Sequence, residues 1–163
     1  MSDVLIVGFG VVGRNLSVEI GKLNPDIYDK YKPDVNTKQE KHYDVAFICV
    51  DTPYTPSSFC DRSEVLNAIN ENDADIYVIK STVLPSTTDS LRDMTGKKII
   101  FSPEYYGGTQ HCNNFNFDFT ILGGEKEDCR KVVQLLQDVY DARHQFRIVD
   151  SKTAEITKYM ENS

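Results

Sequence analysis

The sequence has no tryptophan, only four cysteines, and no long apolar run. The cysteines form no CxxC pair, and Cys49 falls within an apolar strand pattern, so we expect neither disulfides nor a zinc site. No apolar run approaches the roughly 20 residues of a membrane-spanning helix, and no charged, apolar leader precedes the first strand-like segment. These absences predict a soluble, cytoplasmic protein without a metal centre.

An excess of positive charge is also lacking. The chain has 18 Lys and Arg against 25 Asp and Glu, which gives a net charge of −7. Such a field repels phosphate backbones and anionic lipid headgroups, so nucleic acid and membrane surfaces are not expected as partners. The length of 163 residues fits one domain of ordinary size.

Short apolar runs alternate with helical patterns along the chain. The predicted strands lie at residues 4–7, 27–28, 45–48, 76–79, 99–101, 119–122 and 146–149, and the predicted helices at 14–22, 63–70, 86–94 and 130–140. Ser86 and Asp89 are expected to form a capping box, and Gly96 to end that helix. Wholly apolar strands separated by helices predict an α/β fold of the Rossmann type, a doubly wound, mostly parallel sheet with helices on both faces.

The first apolar run leads directly into the motif GFGVVG at residues 8–13. Gly8 permits a tight turn, Gly10 lets the backbone approach a diphosphate, and Gly13 allows the helix to pack closely on the strand. The amides and the dipole at the helix N-terminus would stabilise the diphosphate without a basic side chain. The motif therefore predicts a nucleotide site.

An acidic residue follows at the distance that a dinucleotide site needs. Asp29 ends the second apolar run, about 20 residues after the glycine motif, where a carboxylate accepts hydrogen bonds from the adenosine ribose. A carboxylate there would repel the extra phosphate of NADP, so NAD is the predicted cofactor, although Lys30 and Lys32 make that preference provisional. The alternative is an ordinary glycine turn with Asp29 as a solvated strand end.

Four further segments occur in a fixed order. They are VAFICVDTP at residues 45–53, KSTV at 80–83 followed by Pro85, SPEY at 102–105, and TAE at 153–155 followed by Lys158 and Asn162. Together with the glycine motif, these segments resemble the N-terminal NAD-binding domain of the UDP-glucose/GDP-mannose dehydrogenase family, in the family's order and over nearly all of the chain.

The resemblance implies that NAD oxidises the C6 alcohol of a nucleotide sugar, such as UDP-glucose, to a carboxylate in two hydride transfers. It implies that Thr82 touches the cofactor and positions water, that Glu104 acts as a base or through water, and that Lys158 with Asn162 stabilises the developing oxyanion. Besides Gly8, Gly10, Gly13 and Asp29, the cofactor contacts that it implies are Val11, Val12, Val50, Thr52, Ser81 and Thr82.

The family pattern also predicts limits on this chain. Residues 1–151 would form the Rossmann domain and 152–163 the start of a central helix leading to a second domain, which in the family supplies a catalytic cysteine. That cysteine motif is missing, and Gly108 stands where family members usually have an acid, so we expect the chain alone to be incomplete for catalysis. A monomer or weak homodimer is expected, with Tyr159 and Met160 exposed or facing a second copy.

Three alternatives remain open at this point. They are an NAD-dependent β-hydroxyacid dehydrogenase, which also carries a Lys-x-x-x-Asn pair, a non-catalytic NAD-binding module, and a scaffold without a nucleotide. At single positions, Glu104 could be a capping or surface carboxylate, and Lys158 with Asn162 a solvated helix end. A Cys112–His111 nucleophile is disfavoured because neighbours on an extended backbone point to opposite sides.

Overall fold

The computed structural model describes residues 2–57, 60–104 and 118–161. Within these ranges the strands are β1 (Val4–Val7), β2 (Asp26–Tyr28), β3 (Tyr43–Ile48), β4 (Ala74–Ile79), β5 (Lys98–Phe101), β6 (Phe119–Gly123) and β7 (Gln145–Val149). The helices are α1 (Val11–Glu19), α2 (Ser63–Glu71), α3 (Thr87–Thr95), α4 (Lys126–Gln137) and α5 (Ser151–Glu161). Short 3-10 turns occupy Gly21–Leu23 and Pro33–Val35, the second of them in the polar segment between β2 and β3.

The strands form one sheet in the order β2-β1-β3-β4-β5-β6-β7. Neighbouring strands are parallel except at the junction of β5 with β6, where Phe101 pairs with Gly123 in an antiparallel arrangement. The predicted mostly parallel α/β sheet is therefore confirmed.

Both faces of the sheet are covered by helices. Successive side chains of β1 point to opposite faces, and Leu5 packs in a cluster with residues of α2, α3 and α5, while Ile6 packs in a second cluster with residues of α1 and α4. Burying each large aliphatic side chain contributes about 1.5–3 kcal/mol, so both layers stabilise the sheet. This arrangement confirms the doubly wound expectation.

Two helix boundaries differ from the expectation. The first helix, expected at residues 14–22, occupies Val11–Glu19, because Gly10 already serves as its N-cap. The helix expected at 130–140 occupies Lys126–Gln137. Its first turn carries Glu127 and Asp128, and acidic residues near a helix N-terminus interact favourably with the helix dipole.

The expected capping box at the start of α3 is wrong. Ser86 adopts a left-handed backbone conformation with φ of 74° and makes no side-chain capping bond. The carboxylate of Glu155, in α5, accepts the hydrogen bonds of this helix end instead. The expected stop at Gly96 is confirmed, since Gly96 caps the C-terminus with φ of 69°.

Candidate functional site

The candidate site lies where the strand order reverses. The chain runs from β1 to β2 on one side and returns to place β3 on the other side of β1. In open α/β sheets, ligands bind in the crevice beyond the carboxyl ends of the strands at such a reversal. The glycine motif follows β1 directly, and Val50 lies just beyond β3, so both are at this crevice.

The three glycines of the motif differ in the space that surrounds each of them. Gly8 has φ of +93°, and a Cβ there would lie 2.7 Å from the carbonyl oxygen of Cys49. A Cβ on Gly13 would lie 1.9 Å from the carbonyl oxygen of Gly8, whereas a Cβ on Gly10 would meet nothing within 4 Å. The fold therefore requires Gly8 and Gly13, while Gly10 faces open space at the N-terminus of α1.

Asp29 is buried rather than solvated, with 8% of its surface exposed. Its Oδ2 accepts a hydrogen bond of 2.7 Å from the Phe9 backbone, and its Oδ1 accepts one of 2.8 Å from the Tyr31 backbone. A carboxylate oxygen can accept more than one hydrogen bond, so these contacts are compatible with a bound ribose. The solvated strand end considered above is wrong, and the carboxylate also braces the glycine turn.

Lys30 and Lys32, the two lysines that made the preference for NAD provisional, line the same cleft. The Nζ atom of Lys32 donates a 2.9 Å hydrogen bond to the Phe9 carbonyl, and that of Lys30 lies 3.8 Å from Glu64. Lys32 therefore places a cation beside the glycine turn of an acidic chain. In the sequence, only its position three residues after Asp29 indicated that Lys32 could lie at the nucleotide site.

An adjoining cleft extends from Gly10 to α5. The loops after β3 and β4 are tied together along it, because Ser81 Oγ donates a 2.5 Å hydrogen bond to the Val50 carbonyl and Thr52 Oγ1 donates one of 2.6 Å to the Thr82 carbonyl. The structure therefore brings together the four cofactor-contact residues expected from the VAFICVDTP and KSTV segments, which are Val50, Thr52, Ser81 and Thr82. Val11 and Val12, at the start of α1, line the same cleft.

Glu104 and Lys158 meet at the far end of this cleft. They are 4% and 6% exposed, and the Lys158 ammonium donates a hydrogen bond to the Glu104 backbone carbonyl. Glu104 is thus no surface carboxylate, and Lys158 is no solvated helix end. Asn162 lies outside the described residues, as do Gly108, His111 and Cys112.

Cys49 and Lys80 also line this cleft. Burial raises the pKa of the Cys49 thiol to about 12, although the positive charge of Lys80 acts in the opposite direction. A thiol with that pKa is not a nucleophile at neutral pH. The Nζ atom of Lys80 donates a 3.3 Å hydrogen bond to Ser102 Oγ, which links the KSTV and SPEY segments. Sequence reasoning did not select Lys80 as a site residue, although it is the first residue of the KSTV segment.

Most of the chain matches a known protein family. Residues 26–144 match the model described as the UDP-glucose/GDP-mannose dehydrogenase family, NAD binding domain. The chain belongs to this family. The predicted family and the predicted cofactor NAD are both confirmed, and the family acts on nucleotide sugars.

Curated relatives agree with this assignment. The chain is 32% identical over 143 residues to the UDP-N-acetyl-D-mannosamine dehydrogenase of Methanococcus vannielii, with 80% of this chain and 33% of the relative covered. It is 36% identical over 146 residues to the enzyme of the same name from Methanococcus aeolicus, with 79% and 32% covered. The chain therefore spans about a third of the length of these relatives.

Solved structures show the same fold. The UDP-glucose dehydrogenase of the hyperthermophilic archaeon Pyrobaculum islandicum matches with a TM-score of 0.77 at 20% identity, with 99% of this chain and 49% of the other chain covered. The GDP-mannose dehydrogenase of Pseudomonas aeruginosa, solved as a ternary complex, matches with a TM-score of 0.71 at 20% identity, with 98% and 49% covered.

Residues 2–57, 60–104 and 118–161 contain neither a metal-binding cluster nor a membrane-spanning helix. No group of three or more His, Cys, Asp or Glu side chains there is arranged to hold a metal ion. No helix among those residues is long and apolar enough to cross a membrane.

Proposed function

We propose that the two adjoining clefts form the cofactor half of a nucleotide-sugar 6-dehydrogenase active site. The observation that carries the proposal is the continuity of the two clefts at Gly10. One runs from Gly10 to Asp29, and the other runs from Gly10 to Glu104 and Lys158. A dinucleotide needs such an arrangement, because its two ends must lie on either side of a phosphate cradle.

The residues fit NAD, whose nicotinamide supplies a hydride acceptor when it is bound. Gly10 leaves room for a diphosphate, and the first turn of α1, which has no side-chain cap, offers its amides at Val11 and Val12. Asp29 would accept hydrogen bonds from the adenosine ribose. The tied loops that carry Val50, Thr52, Ser81 and Thr82 would border the reactive end of the cofactor.

The chemical step would depend on Thr82, Glu104, Lys158 and Asn162. Lys158 would place an ammonium near the oxygen of the sugar alcohol and stabilise negative charge as its proton leaves, with the Asn162 amide as a second donor. The buried Glu104 carboxylate would accept a proton directly or through a water that Thr82 orients. Burial of Glu104 and Lys158 strengthens these interactions, because the local dielectric constant is low.

The substrate class that we favour is a UDP-linked N-acetylhexosamine. Its support is the name shared by the relatives from Methanococcus vannielii and Methanococcus aeolicus, UDP-N-acetyl-D-mannosamine dehydrogenase. UDP-glucose, the default from the family resemblance, becomes the second choice. A non-catalytic NAD-binding module remains the alternative function, and Gly108, at a place where the family usually has an acid, favours it.

The test is NADH formation from NAD and UDP-N-acetyl-D-mannosamine by the chain joined to the remaining part of the Methanococcus vannielii relative, because the chain alone is expected to be incomplete for catalysis. UDP-glucose is the competing substrate. If either sugar is oxidised, and Lys158→Met abolishes this oxidation without changing the affinity for NADH, the dehydrogenase function is supported. Tight NADH binding without oxidation of either sugar supports the binding module.

We also propose a cytoplasmic location and a monomer or weak homodimer. On α5, Tyr159 and Met160 are exposed hydrophobic residues, which suits either contact with solvent or a weak contact with a second copy. Sedimentation across a range of concentrations tests the oligomeric state, and a tight tetramer would contradict it.

A further inference from the structure

Glu155 occupies an unusual place for a carboxylate. It lies in α5 with no exposed surface, yet both of its oxygens reach the N-terminus of α3, almost 70 residues earlier in the chain. Its Oε2 accepts a 2.5 Å hydrogen bond from the Ser86 backbone, and its Oε1 accepts bonds of 2.7 and 2.6 Å from the backbone and hydroxyl of Thr88. Three donors thus converge on one buried side chain.

The local residue does not cap α3. The first amides of a helix need acceptors, and a serine before the first turn normally supplies one. Ser86 makes no such bond, and its φ of 74° places it in the left-handed region. The Glu155 carboxylate replaces it, and the helix dipole favours negative charge there. The cap of α3 is therefore a contact between two helices.

The same turn of α5 is fixed at a second point. A Cβ added to Gly123 in β6 would lie 2.4 Å from the Cβ of Ala154, the neighbour of Glu155. Only a glycine at position 123 allows α5 to approach the sheet this closely. Residues 154 and 155 therefore fix both the distance of α5 from the sheet and its rotation about its own axis.

Lys158 lies three residues, or about one helical turn, beyond Glu155. A rotation of α5 would move the Lys158 ammonium away from the Glu104 carbonyl to which it donates a hydrogen bond. The turn that leads into α3 begins with Ser81 and Thr82, which border the cofactor cleft. Glu155 therefore connects the lysine to the loop on the cofactor side of the site.

We propose that Glu155 is a positioning residue, which caps α3 from α5 and thereby holds Lys158 in the site. The importance of this for catalysis rests on the proposed function of Lys158. The positional claim rests only on the contacts of Glu155, Ala154 and Lys158, and its test needs neither cofactor nor substrate.

The test is pulsed acetylation of lysines in the folded full chain, read by mass spectrometry. The rate at Lys158 is divided by the rate at Lys152, an exposed lysine on the same helix that serves as internal standard. In Glu155→Ala we expect this ratio to rise about tenfold, as expected for the loss of a helix-capping acceptor. Thr88→Val, which removes one of the three donors, should give a smaller rise in the same direction.

Val132→Ala is the matched control, because Val132 is fully buried in α4 on the opposite face of the sheet. It lowers stability without touching α5, so its Lys158-to-Lys152 ratio should equal that of the unchanged chain. The proposal would be overturned if the Lys158-to-Lys152 ratio in Glu155→Ala and in Thr88→Val were no higher than the ratio in Val132→Ala. If Glu155→Ala does not fold, Glu155→Gln and Thr88→Val decide by the same comparison. A raised ratio in a chain that oxidises no sugar, even when joined to the remaining part of the Methanococcus vannielii relative, would support the positioning of Lys158 by Glu155 and contradict only the dehydrogenase function.

Discussion

The Asp29 carboxylate holds the backbone amide of Phe9, the residue between the first two motif glycines, at 2.7 Å. The acid and the glycine turn are therefore one structural unit, although 20 positions separate the two residues. An acceptor buried at the end of β2 fixes the turn before any cofactor arrives. Pre-organisation of this kind lowers the entropy that binding must overcome.

Replacing Asp29 tests this double role. Asp29→Ala removes the acceptors of two backbone amides, so we expect a loss of about 1–3 kcal/mol in the free energy of unfolding. We also expect weaker NADH binding and a smaller advantage of NADH over NADPH. Chemical denaturation and calorimetry with both cofactors measure these effects. An unaltered cofactor ratio would show that another residue determines the preference.

Gly13 should tolerate no side chain. A Cβ there would overlap the Gly8 carbonyl oxygen at 1.9 Å, so Gly13→Ala should lower the free energy of unfolding by roughly 3 kcal/mol. Gly21→Ala is the control, since a Cβ at Gly21 meets nothing within 4 Å, and it should stay within about 0.5 kcal/mol. Equal stability of the two variants in urea denaturation would contradict the close-packing explanation.

Buried cysteines should resist alkylation in the folded chain. Burial raises the pKa of Cys49 to about 12 and that of Cys129 to about 11, so few thiolates form at about pH 8. Cys60 is partly exposed and should react first in a Cys112→Ser background. Peptide mapping after timed iodoacetamide treatment measures the order. Modification of Cys49 as fast as Cys60 would contradict the burial of this strand end.

His42 should give the stability a pH dependence. Hydrogen bonds to Asp73 and then Asp75 raise the pKa of His42 above its ordinary 6.5. The folded state therefore binds the proton more tightly than the unfolded state, and the stabilisation is fully present below about pH 6.5 and is lost as the pH rises through the folded pKa. His42→Ala should lower the Tm in mildly acidic buffer and leave it unchanged in alkaline buffer. An equal change in Tm at both pH values would contradict this.

The local parts of the fold were predictable because they rest on short patterns. The apolar runs indicated the seven described strands, and the glycine spacing indicated the turn after β1. The capping of α3 was not predictable, because the acceptor is Glu155, and no local pattern pairs residues almost 70 positions apart. The start of α1 was also misplaced, because this helix begins directly after the glycine turn rather than at its first polar residue.

The candidate site shows the same division. The motifs pointed to Asp29, Thr82 and Lys158, but not to the contacts that orient them. Asp29 accepts a hydrogen bond from the Phe9 amide, and Lys158 donates one to the Glu104 carbonyl. Both hydrogen bonds depend on how distant segments pack. Lys80 was part of a recognised motif, yet its contact with Ser102 depends on the pairing of β4 with β5.

The most direct test of the account is calorimetry of Gly10→Val with NADH beside the unchanged chain. A Cβ at Gly10 points into open space, so the substitution should leave the fold and the Tm nearly unchanged while the added side chain blocks the approach of the diphosphate. We expect saturable NADH binding by the unchanged chain and none by the folded variant. Equal binding by both would contradict the assignment of the glycine turn as the phosphate cradle.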